Sequence, residues 1–89
     1  MISTSIRIKN PKGLHARVAI LIAKQAEQFD AEITIHNHPK KANALHIMEL
    51  MMLAASFNTE VNIIVTGKDE AKAMQSIINT IQSGFDEIQ

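Results

Sequence analysis

Polar and apolar residues alternate from the start of the chain. Ile2, Thr4, Ile6 and Ile8 fall on one side, with polar residues between them, which is the two-residue period of a half-buried strand. The alternation stops at Asn10-Pro11-Lys12-Gly13, a strong turn sequence. The period then changes. Ala19, Ile22, Ala23 and Ala26 keep the i, i+3, i+4, i+7 spacing of a helix that faces a core, predicted from about Ala16 to Gln28. Ile33 and Ile35 alternate again as a second strand. Asn37-His38-Pro39-Lys40 reads as a turn into a short third strand, Lys41 to Asn43, the two strands forming a hairpin. Leu45 to Ala55 is too rich in Met and Ala for a strand and predicts a second helix, with Asn58 as the residue that ends it. Val61, Ile63 and Val65 mark a fourth strand closed by Gly67. Asp69 is placed to cap a last helix carrying Ala71, Met74, Ile78 and Ile81. Gly84 stands where that helix should stop, and Phe85 is expected to clasp back onto it.

The order strand, helix, strand, strand, helix, strand, helix predicts an α+β sandwich. Three helices cover one face of a four-stranded sheet, and the short hairpin favours antiparallel pairing. The 89 residues allow one modest core, so positions 1–89 are read as a single domain.

Composition narrows the function. Nine basic residues balance nine acidic ones, and the three aromatic residues are all Phe. Neither the charge nor the ring chemistry of a nucleic-acid binder is present. The absence of cysteine removes disulfides, thiolate nucleophiles and Cys-type zinc sites. The first residues do not read as a signal peptide, and no apolar run is long enough to span a membrane. A cytoplasmic protein without membrane insertion is the expectation.

The most informative stretch is Gly13-Leu14-His15-Ala16-Arg17, at the junction of a turn and a helix. Backbone N–H groups at a helix start have no partner within the helix and attract anions. The same positive end, with a nearby arginine, disfavours the imidazolium form, so a neutral, nucleophilic His15 is expected near neutral pH. Arg17 can bond phosphoryl oxygens with its planar fork.

These five residues closely resemble the active-site signature of HPr, the histidine phosphocarrier family of the bacterial phosphotransferase system. The element order matches along the whole chain. Ile47-Met48-Glu49-Leu50-Met51 resembles the family's second helix, and Ser83-Gly84-Phe85-Asp86-Glu87 resembles the tail of the nitrogen-related branch. The resemblance implies an open-faced β-sandwich. It implies that His15 accepts a phosphoryl group on Nδ1 from Enzyme I, charged by phosphoenolpyruvate, and passes it to a IIA-type domain. His15 and Arg17 would carry the chemistry, with Ala16, Arg17 and Val18 holding the phosphate. Leu14, Ile47, Met48, Met51, Met52 and Lys24 would meet partners, some of them exposed and some buried, methionine being suited to docking unlike shapes. No cofactor or metal is implied, and a monomer is expected.

Two positions depart from the family. Val18 stands where proline is usual, and His46 where carriers of Gram-positive bacteria have a serine phosphorylated by a dedicated kinase. His46 has no hydroxyl, so that switch is not expected. Other readings are a non-phosphorylated regulatory domain that binds through the Met-rich helix, a nucleic-acid-binding domain of similar fold, and a metal site at His36 and His38. The last has only two ligands without carboxylate or thiolate support, and the turn explains both histidines better.

Overall fold

The computed structural model describes residues 1–83, and the expected stop at Gly84 and clasp by Phe85 lie outside them. The elements follow in the predicted order: β1 (Ile2–Arg7), α1 (Ala16–Ala26), β2 (Ala31–Asn37), β3 (Lys40–Asn43), α2 (Ile47–Met52), β4 (Glu60–Gly67) and α3 (Glu70–Ser83). The strands make one sheet in the order β1-β4-β2-β3, every pair antiparallel.

The two-residue period sets which face is buried. Ile33 and Ile35 of β2 and Val61, Ile63 and Val65 of β4 point into the core. Thr34, Asn62 and Ile64 point the other way. Register joins the two central strands through Ile33 opposite Val65 and Ile35 opposite Ile63. The helices close over this face with Val18, Ala19 and Ile22 of α1, Leu50 of α2, and Ala73, Ile77 and Ile81 of α3. Burying each large aliphatic side chain contributes about 1.5–3 kcal/mol. A bond from Ser76 Oγ to Gln25 Oε1 at 2.7 Å ties α3 to α1. On the uncovered face Asn62 Nδ2 donates to Ser3 and Ser5 Oγ, both at 3.1 Å.

Several boundaries differ from expectation. The hairpin turn is only His38-Pro39, because Asn37 already pairs with Lys40. Helix α2 spans six residues rather than eleven. It ends because Ala54 takes a positive φ of 55°, which breaks the helix four residues before Asn58. Asn58 has a positive φ as well, 69°, but its N–H donates to the Ile8 carbonyl in the loop beyond. In α3 the buried stripe is Ala73, Met74, Ile77 and Ile81. Ala71 is exposed and Ile78 only half-buried. Asp69 accepts the first helical N–H, from Ala73, on its backbone carbonyl, while its carboxylate takes the N–H of Asp30 at 2.8 Å. It therefore ties α3 to the start of β2 instead of capping its own helix. Gly67 permits that approach. At its φ of 146° a Cβ would lie 2.7 Å from both Asp30 O and Ala31 Cα.

Candidate functional site at the start of helix α1

The turn before α1 is pinned at both ends. Buried Asn10 accepts the Gly13 N–H on its carbonyl at 2.8 Å and the Lys12 N–H on Oδ1 at 3.1 Å. Leu14 N–H donates to Ala55 O at 2.8 Å. Gly13, at φ 69°, makes this close approach possible, since a Cβ there would meet Ala55 O at 2.5 Å and Ser56 Cα at 2.7 Å. The chain then delivers His15 in the N-cap position of α1, with extended backbone angles and no side-chain cap bond.

That last detail decides what the helix start can do. An ordinary N-cap side chain occupies the first free N–H groups. His15 does not, and the first N–H taken by a backbone acceptor is that of Ala19, by the His15 carbonyl. The N–H groups of Ala16, Arg17 and Val18 remain open to an anion.

The His15 ring is half-buried. Its Nε2 is enclosed without a hydrogen-bond partner among the described residues, whereas Nδ1 is not enclosed in this way. Desolvation above all, then the charges of Lys12 and Arg17, hold its pKa below the ordinary 6.5. The ring is therefore neutral at pH 7 and has a lone pair to offer. Arg17 is exposed, and its guanidinium has no hydrogen bond or ion pair among the described residues. Lys24 lies nine residues beyond His15, about 13 Å along the axis, so it can touch a partner but not a group on His15.

Helix α2 packs beside α1 and turns Ile47, Met48, Met51 and Met52 outward, with Met48 67% and Met52 68% exposed. Leu45, Ile20 and Phe57 are also exposed. Nothing in the sequence pattern marks these three, because isolated apolar residues in a loop or on a helix back carry no periodic signal. Leu14 differs from the other residues proposed to meet partners. It is 5% exposed and belongs to the core, because its N–H bond to Ala55 turns the side chain inward.

His46 sits in the N-cap position of α2. Its Nδ1 is 2.9 Å from Glu49 Oε2, and Glu49 Oε1 accepts the Asn43 N–H at 2.8 Å. These bonds, the Asn43 one first, hold the Glu49 carboxyl below its usual range. His36 and His38 have ring centroids 5.3 Å apart. No group of three or more potential metal ligands occurs among the described residues.

A four-stranded antiparallel sheet covered on one face by three helices, with a neutral histidine in the uncapped N-cap position of the first helix, defines an α+β domain with a candidate anion site. Comparison with known proteins gives the family. Residues 2–83 match the family described as "PTS HPr component phosphorylation site", and the chain belongs to this HPr family of the phosphotransferase system. It is 36% identical over 87 residues to the phosphocarrier protein HPr of Treponema pallidum, covering 98% of this chain and 99% of that one. It is 38% identical over 82 residues to the phosphocarrier protein NPr of Shewanella violacea, covering 92% and 90%. Among solved structures, HPr of Thermoanaerobacter tengcongensis superposes with a TM-score of 0.89 at 37% identity, covering 97% of each chain. An HPr dimer from the same organism matches with a TM-score of 0.73 at 38% identity, covering 96% of this chain and 98% of that one. The monomer expected from the sequence thus has a dimeric relative beside it. No helix among the described residues is long and apolar enough to cross a membrane.

Proposed function

We propose that His15 accepts a phosphoryl group on Nδ1 from phospho-Enzyme I, charged by phosphoenolpyruvate, and passes it to a histidine of a IIA-type domain in the cytoplasm. The observation that carries this reading is the uncapped helix start: His15 occupies the N-cap position without spending the amides of Ala16, Arg17 and Val18. The Nδ1 lone pair attacks phosphorus while the donor's bond to phosphorus breaks. Amide dipoles and the Arg17 guanidinium meet the dianion, so the carrier supplies position and charge rather than bond-making groups of its own. Exposed Met48, Met51 and Met52, with the rim charge of Lys24, form the docking surface shared by donor and acceptor.

The transfer serves sugar uptake or the nitrogen-related regulatory branch. The Ser83–Glu87 tail resembles the second, and relatives of both kinds, HPr and NPr, are similar at 38% identity. The same apolar surface supports a second reading, a regulatory domain that binds partners without phosphorylation. Incubation with Enzyme I and phosphoenolpyruvate separates the two. The phosphocarrier gains an acid-labile, base-stable phosphate that disappears in His15→Ala, and a folded wild-type protein that stays unlabelled overturns the proposal.

A further inference from the structure

Lys12 stands outside every role assigned so far. It sits in a turn anchored in the core: Asn10, 2% exposed, holds the Lys12 N–H on its side chain and the Gly13 N–H on its backbone. That anchorage fixes where the lysine side chain departs, three residues before His15. The side chain is exposed, and its ammonium has no hydrogen bond or ion pair among the described residues. The charges of both Lys12 and Arg17 reach the imidazole and disfavour its protonated form. Two exposed cations without partners among the described residues therefore act on one neutral ring, one carried by the turn and one by the helix. Among the described residues no acidic group pairs with either cation, which leaves both available to an anion.

We propose that Lys12 is a further positioning group for the phosphoryl on His15, its ammonium acting as a mobile point charge beside the planar fork of Arg17. This rests on the reading of His15 as the phosphoryl acceptor. Lys12 makes no bond to phosphorus and transfers no proton. The new bond forms from the Nδ1 lone pair, and the electron pair of the broken bond leaves with the donor.

The test uses the full chain phosphorylated in two ways, by Enzyme I with phosphoenolpyruvate and chemically with phosphoramidate. Phosphorus NMR follows the ionisation of the phosphoryl group, and proton NMR that of the free His15 ring. In Lys12→Ala both pKa values rise, and transfer from phospho-Enzyme I slows about threefold, the scale of one partly exposed charge pair. Lys12→Arg restores most of each effect. A Lys12→Ala protein whose two titrations and transfer rate match the wild type overturns the role of Lys12 and leaves His15 untouched. A wild-type chain that neither reagent phosphorylates overturns the underlying reading, and this proposal with it.

Discussion

Leu14 donates its backbone N–H to the carbonyl of Ala55 at 2.8 Å, joining the turn before α1 to the loop between α2 and β4. Through this bond the proposed phosphoryl site and the end of the proposed docking helix share one piece of backbone. Gly13 is the residue that lets the two segments come so close. Gly13→Ala places a Cβ against the backbone of Ala55 and Ser56 at a φ that L side chains avoid. It is expected to lose about 2 kcal/mol of stability, read as a lower urea midpoint. Transfer should slow as well, because His15 is delivered from the displaced turn. An unchanged midpoint would mean that the loop yields freely.

Arg17→Ala should leave the melting temperature unchanged, since the side chain is exposed and makes no bond to any described residue. Phosphoryl transfer should fall about tenfold, the weight of one charge-assisted bond to the dianion. Rapid-quench measurement of transfer from phospho-Enzyme I checks both rate and saturation. An unaltered rate removes Arg17 from the site.

The pH dependence follows from the His15 pKa lying below 6.5 in the folded protein. The fold prefers the neutral ring. Its contribution to stability is intact above 6.5, the unfolded value, and is lost as pH falls toward the lower folded value. Nucleophilic reactivity follows the same fraction of neutral ring. Transfer should therefore stay level through pH 7 and decline only on the acid side of 6.5. A decline that begins above 6.5 would show that the ring is not held neutral. Proton NMR of the imidazole gives the same midpoint independently.

Val18 gives this chain an amide that a proline would lack. Val18→Pro removes only that N–H from the helix start, where proline is conformationally acceptable. Transfer is expected to slow about threefold, as for one lost neutral hydrogen bond, with the urea midpoint held or raised. A rate equal to wild type would assign the phosphoryl to the amides of Ala16 and Arg17 alone.

Met48 is largely exposed on α2. Met48→Glu should keep the fold and raise the KM for phospho-Enzyme I, with little change in turnover at saturation. Calorimetric binding to Enzyme I gives the same contrast. Equal affinity for the variant and the wild type would move the docking surface elsewhere.

The parts of this structure that could be read from the sequence are those fixed by period. Ile33, Ile35, Ile63 and Val65 alternate in the sequence and line the core in the structure, because burying one face of a sheet leaves no other register. His15 and Arg17 were legible because a turn motif and a helix stripe meet at that point. Other features depended on contacts far apart in the chain. Ala71 keeps helical spacing with Met74 and Ile78, but the docking of α3 on α1 and β4 turns the stripe toward Ala73 and Ile77. Leu14 flanks the histidine and reads as surface until its bond to Ala55 is seen. Lys12 reads as an ordinary turn residue, and only the burial of Asn10 shows that its turn is held in place.

The side of the sheet that no described helix covers, laced by Ser3, Ser5 and Asn62, lies opposite the helices that carry the proposed site and docking residues. On the proposed function, a chromophore or a surface tether fixed there would leave phosphoryl exchange unhindered. The molecule could then be watched, or held on a support, while it works.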